Sequence, residues 1–207
     1  MNLNEIASEI YSSQTKVHQD MVNSFELYRD YIENADVALN PELYTLKTRL
    51  LADYAIALTY VKDYKKSVLY LNIALPLLLN DIKIDKKNIK EIEFYELLIF
   101  NRAVSNYNLG KLSIAKTDFD LLVKLYPEKI IYKNWQESLN LMNLNKVKNI
   151  LWIIGAFFLL IEILFEYIHL PSEIPMLFTV LFMSIAIIIE IIVFFKKKEI
   201  QNKTYST

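Results

Sequence analysis

The chain has no cysteine, two glycines and two histidines among its 207 residues. Without cysteine there are no disulfides, thiolate zinc sites, iron–sulfur clusters or thiol nucleophiles. The absence is compatible with either redox compartment. Gly110 and Gly155 alone cannot build a phosphate-binding P-loop or a dinucleotide GxGxxG turn. His18 and His169 are too few for a multi-histidine metal centre. Charge of one sign is also missing: 23 Lys and Arg against 24 Asp and Glu leave a net −1. That balance gives no electrostatic reason to expect nucleic acid as a partner. No Ser/His/Asp trio or metal-ligand spacing stands out, so neither enzymatic activity nor a cofactor or metal is expected. The opening MNLNEIASEI has neither the basic start nor the apolar run of a secretory leader.

What the chain does have is an apolar C-terminal region. Residues 150–168 form one nearly unbroken apolar run and residues 175–195 a second. As helices rising ~1.5 Å per residue they would extend about 28 Å and about 31 Å, the thickness of a hydrocarbon core. Pro171 and Pro175 bracket a connection too short for anything but a turn between antiparallel helices. A helical hairpin satisfies every backbone amide within lipid, and a buried hairpin in a soluble core is the competing reading. Lys146 and Lys148 precede the first run and Lys196, Lys197 and Lys198 follow the second, while the turn has no basic residue. The positive-inside rule then predicts two spans with both termini cytoplasmic. The same lysines are suited to lipid headgroups.

Three acids fall within or beside these spans. Glu162 and Glu166 are four apart on one face, and Glu190 lies in the second run. Glu162 and Glu190 differ in depth by about 12 Å, too far to pair within one hairpin. A partner helix, an oligomer seam or a water-filled path would stabilise them; snorkelling to the interface is the alternative.

The preceding residues are amphipathic and contain an internal repeat. Leu51–Leu75 (LADYAIALTYVKDYKKSVLYLNIAL) aligns without gaps on Ile99–Val123 (IFNRAVSNYNLGKLSIAKTDFDLLV). The second copy carries Ala103, Gly110, Leu112, Ala115, Phe119, Leu122 and Pro127; the first carries Ala55, Asp63, Tyr64, Ser67, Leu71 and Ala74. Small residues let paired helices approach, and larger ones fill the space between layers. In this order the pattern resembles the tetratricopeptide repeat family over residues 44–127, with the first copy lacking the turn glycine and closing proline. The copies are 48 residues apart, more than the ~34 of that unit. The excess falls in Asn80–Glu93, a charged insertion expected to extend the flanking helices.

The resemblance implies an all-α fold, a solenoid of helical hairpins followed by the transmembrane pair. A stripe of Val17, Met21, Phe25, Tyr28 and Ile32 forms an N-terminal helical region within residues 1–40. Residues 41–145 hold the repeats and a capping helix with Trp135, Leu139 and Met142, and residues 146–207 the hairpin and basic tail. Six or seven helices should precede the hairpin.

In that family the first helix of each pair lines a concave face that binds protein segments. Its register here implies Arg49, Asp53, Ile56 and Tyr60, then Leu97, Phe100, Asn101, Val104 and Tyr107. The family's basic clamp for a terminal carboxylate is missing, since Ala52 and Ile56 stand where Lys and Asn are needed and only Asn101 matches. Plain packing of Phe100 and Tyr107 against neighbouring helices competes with the groove reading. His18 reads as a surface residue, and Glu91, Glu93 and Glu96 as a solvated helix face. The expected function is a membrane-anchored scaffold for a protein partner. The alternatives are an oligomeric two-span effector that self-associates through the hairpin, and an accessory subunit of a membrane complex.

Overall fold

The computed structural model describes residues 2–12, 17–85, 93–171 and 173–205. Among the described residues there are eight helices and no strand: α1 (Leu3–Ser12), α2 (His18–Asn34), α3 (Pro41–Tyr60), α4 (Tyr64–Asp85), α5 (Glu93–Asn108), α6 (Leu112–Leu125), α7 (Ile130–Tyr167) and α8 (Glu173–Tyr205). The chain divides into two compact units, Met1–Tyr132 and Lys133–Thr207.

In the first unit each helix packs on its sequence neighbour from α1 to α6, and α3 also touches α1 and α5. Local sequence explains the boundaries. Asn40 caps α3 by accepting from the amides of Glu42 and Leu43, with Pro41 in the first turn where its missing N–H is harmless. Pro127 lies just past α6, which ends at Leu125. The charged insertion extends α4 to Asp85; its remainder, residues 86–92, lies outside the described residues.

The two aligned copies occupy matching environments. Ala55 and Ala103, Ser67 and Ala115, and Leu71 and Phe119 are all buried. The turns match as well. Asp63 N–H donates to Leu58 O and Lys62 N–H to Thr59 O; Lys111 N–H donates to Asn106 O and Gly110 N–H to Tyr107 O. Both are Schellman-type ends, and both place one residue in the left-handed region: Lys62 at φ 68° and Gly110 at φ 73°. The first copy thus makes the glycine turn without glycine. A non-glycine residue there carries about 1–2 kcal/mol of backbone strain. Lys62→Gly is therefore expected to stabilise the unit by about 1 kcal/mol, after the entropic cost of glycine. Gly110→Ala should destabilise by about 1–2 kcal/mol. A Cβ at Gly110 would meet nothing within 4 Å, so the penalty is backbone alone. Urea titrations of both variants check the opposite signs.

The core is aromatic toward α2 and polar where three helices cross. Phe25 stacks on Tyr54 with centroids 3.9 Å apart, and both meet Tyr70 edge-on. Thr59, Ser67 and Ser105 bring three buried hydroxyls within 2.7–3.2 Å of one another, so these small side chains satisfy each other where α3, α4 and α5 meet. Arg102 on α5 donates through Nε and Nη2 to both carboxylate oxygens of Asp118 on α6, at 2.9 and 2.6 Å. Glu96 corrects the reading of a solvated acidic face. It is buried and accepts from Lys129 Nζ at 2.5 Å and from the Tyr132 hydroxyl, while Glu93 is exposed and Glu91 lies outside the described residues.

In the second unit α7 and α8 are long and apolar enough to cross a membrane, with mean hydropathy of 2.1 and 2.8 over their most apolar stretches. Only 6 % and 11 % of those stretches are buried. A core hairpin of a soluble protein would be mostly covered, so this exposure counts against that reading. The helices meet along stripes with alternating steps of three and four. On α7 the stripe is Lys148, Leu151, Gly155, Phe158, Glu162 and Phe165, and on α8 it is Pro175, Thr179, Phe182, Ala186, Ile189 and Val193. All are buried or half-buried. This 3.5-residue period is that of a coiled-coil seam. Gly155 admits Met183, whose Cγ lies 3.1 Å from where a Cβ would be, and Phe158 stacks on Phe178 and Phe182. Small residues let two helices approach closely.

Candidate functional site

The face implied by the repeat register runs along α3 and α5. On α3 the chain itself covers part of it. The Tyr11 hydroxyl, at the end of α1, donates to Asp53 Oδ2 at 2.7 Å. Arg49 lies over the Tyr11 ring at 5.9 Å and holds Asp53 at 3.7 Å. Burial raises the Asp53 carboxyl above its usual range, against the pull of Tyr11 and Arg49. The same burial, with Asp53 beside it, pushes the Tyr11 hydroxyl strongly up. Tyr60 stacks on His18, 3.9 Å between centroids and 3° between planes, and remains half exposed. Ile56 is buried.

α1 did not figure in the sequence reading. Its signal is Leu3, Ile6, Ala7 and Ile10, one apolar stripe at helical spacing, each no more than 5 % exposed. Ten residues are too few to hold a helix alone, so α1 depends on α2 and α3 for its order.

On α5 the residues separate. Asn101 is buried and donates through Nδ2 to Leu97 O at 2.8 Å, capping nothing outward. Phe100 meets Phe119 edge-on at 6.2 Å and Tyr132 at 5.7 Å, so it belongs to packing with α6 and the start of α7. Leu97 is exposed, and Val104 and Tyr107 are half-buried. The more exposed residues of this face are therefore Leu97, Val104, Tyr107, Arg49 and Tyr60, whereas Ile56 and Asn101 are buried and Asp53 and Phe100 are held by neighbouring elements.

The residues of the second unit also separate. Glu190 on α8 pairs with Lys148 on α7 at 3.4 Å, so a carboxylate in the second apolar run meets a counter-charge that lies just before the first. Glu162 is half-buried on the seam stripe, and Glu166 is exposed. Neither has a hydrogen bond or ion pair among the described residues. Lys146, Lys196, Lys197 and Lys198 are exposed. Among the described residues no three acidic or histidine side chains gather into a metal-binding group. No family model, curated protein or solved structure matches the chain.

Proposed function

We propose that the chain is a membrane-anchored interaction module of tetratricopeptide-like hairpins that binds a protein segment and holds it at the bilayer. The observation that carries this reading is the pair of long apolar helices left almost wholly uncovered. Lipid is the solvent that makes such surfaces inexpensive. The matched turns and matched burial of α3–α4 and α5–α6 support the repeat reading. The packing of α1 against α3 supports an amphipathic helix as the kind of segment this surface would take. Anchoring raises the effective concentration of a captured segment near other membrane components without adding contacts. The lysines at the open end of the hairpin support cytoplasmic termini.

The test is capture of full-length protein from detergent-solubilised membranes. A stoichiometric protein should co-purify with the wild type and be lost with Leu97→Glu plus Val104→Asp, two positions outside the core whose change leaves the melting temperature in place. Retention of the same protein by the double variant would refute binding at this face.

A second reading, an oligomeric effector, draws on one contrast: Glu190 has its counter-charge in Lys148, whereas Glu162 has none among the described residues. An intramembrane acid without a partner calls for one from another helix. A defined oligomer in mild detergent that Glu162→Leu dissolves would favour it over a simple anchor.

A further inference from the structure

On α3 the residues Tyr44, Lys47, Thr48 and Leu51 lie on the side opposite Arg49, Asp53, Ile56 and Tyr60, by the 3.6-residue period. That opposite side, the C-terminal end of α2 with the residues just after it, and the middle of α4 line a cavity of about 460 Å³ that is open on one side. Its apolar lining is Val37, Leu51, Leu69, Ile73 and Leu77. Leu69 and Ile73 are 57 % and 43 % exposed, a high figure for aliphatic side chains beside a cavity. The volume falls within the range of small-molecule sites, and an apolar pocket with a few placed polar groups is their usual form.

The polar groups define what could enter. Lys47 Nζ donates to the carbonyls of Glu33 and Ala35 at 2.7 and 2.9 Å, capping α2. An ammonium has three donors, so among the described residues one is left without an acceptor. Burial lowers the Lys47 pKa, against the pull of Glu33 and Asp36. The Glu33 carboxylate lines the same cavity and accepts from the Tyr70 hydroxyl. The Tyr44 hydroxyl donates to Leu77 O at 3.2 Å. One cation and one anion thus face the space together. A carboxylate or phosphate head would meet Glu33 as well as Lys47, and a cationic head would meet Lys47 as well as Glu33. An uncharged acceptor avoids both repulsions and can use the remaining Lys47 N–H.

We propose that this cavity, with Lys47 beside its apolar lining, binds the aliphatic chain of a neutral amphiphile of the fatty-alcohol or monoacylglycerol kind. The site lies away from the protein-binding face and does not depend on it.

The experiment uses the full chain in phosphatidylcholine nanodiscs and a photoreactive twelve-carbon alcohol carrying a diazirine, with labelled peptides mapped by mass spectrometry. Labels on α7 and α8 report the bilayer and serve as the internal reference. Labelling of peptides from residues 37–51 and 69–77 is expected, competed by excess 1-decanol. Ile73→Trp, which fills the space from its open side, should reduce it at least about tenfold, the worth of roughly two methylene contacts. Ile73→Val, which keeps the space open, should retain it, and unchanged melting of both variants excludes unfolding as the cause. The matching twelve-carbon diazirine acid should label several-fold less than the alcohol. Labels confined to α7 and α8, or unchanged by Ile73→Trp, would overturn the proposal. Equal labelling by the acid would overturn the neutral head. Protection by a leucine-rich amphipathic peptide but not by 1-decanol would make the cavity a peptide pocket and overturn the amphiphile.

Discussion

Asp118→Ala is expected to destabilise the N-terminal unit by about 3–5 kcal/mol, the cost of removing one partner from a buried ion pair. The Asp118 side chain is 4 % exposed and that of Arg102 25 %. Removing the carboxylate strands a guanidinium between α5 and α6, with the long 3.4 Å contact to Asn72 its one remaining side-chain hydrogen bond among the described residues. For a unit of this size the melting temperature should fall by about 10–20 °C. Arg102→Lys should cost less but more than a surface change, since an ammonium cannot reproduce the two-pronged contact. The double replacement Arg102→Met with Asp118→Leu should recover most of the loss, because a buried pair exchanged for apolar side chains is often neutral. Lys116 and Asp120 provide the contrast. They also approach to 2.6 Å, yet both side chains are more than 40 % exposed, so deleting either should change stability by less than about 0.5 kcal/mol. Thermal melts followed by far-ultraviolet circular dichroism separate the two pairs. Equal, small effects would mean that solvent reaches Asp118.

Burial, not proximity in sequence, separates those pairs, and that is also where sequence reasoning stopped. Hydrophobic periodicity exposes the paired helices and the two long apolar helices because it is a local property: Ala55 and Ala103 are small for the same packing reason, and residues 150–168 and 175–195 are apolar over the length a membrane crossing needs. Proline positions were equally legible, with Pro41 opening α3. Charged residues were not. Glu96 alternates with apolar neighbours as a solvated acid would, and only the return of the chain at Lys129 and Tyr132 buries it. Lys62 gives no local hint of a left-handed turn; its backbone follows the helices on either side. Counting depth sets Glu190 apart from Glu162, but its partner Lys148 follows only from the antiparallel pairing of α7 and α8. The Leu3–Ile10 stripe of α1 was short enough to pass unnoticed, and it covers part of the face that the repeat register implied.

The full chain should remain with the bilayer after alkaline carbonate washing, and its orientation can be read by single-cysteine labelling. Because the natural sequence has no cysteine, each introduced thiol reports alone. Leu39 is 99 % exposed and precedes α3, and Leu170 is 49 % exposed in the turn between α7 and α8. With cytoplasmic termini, Leu170→Cys reacts with an impermeant maleimide on intact cells and Leu39→Cys reacts only after lysis. The reverse pattern would overturn the lysine-based orientation; reaction of both from outside would mean that the hairpin does not cross. Insertion energy can be probed at the same sites. The span 175–195 contains 14 Leu, Ile, Val and Phe residues. At about −0.3 to −0.6 kcal/mol each they favour insertion by roughly 4–8 kcal/mol, against about 2.5–3.5 kcal/mol for one central arginine. Ile185→Arg alone should therefore weaken insertion and leave Leu170→Cys labelled. Ile185→Arg with Ile188→Arg adds about 5–7 kcal/mol, enough to offset the apolar gain, and should release the chain from the carbonate pellet or abolish labelling from outside. If the double arginine variant behaves as the wild type does, these helices are held by protein and not by lipid.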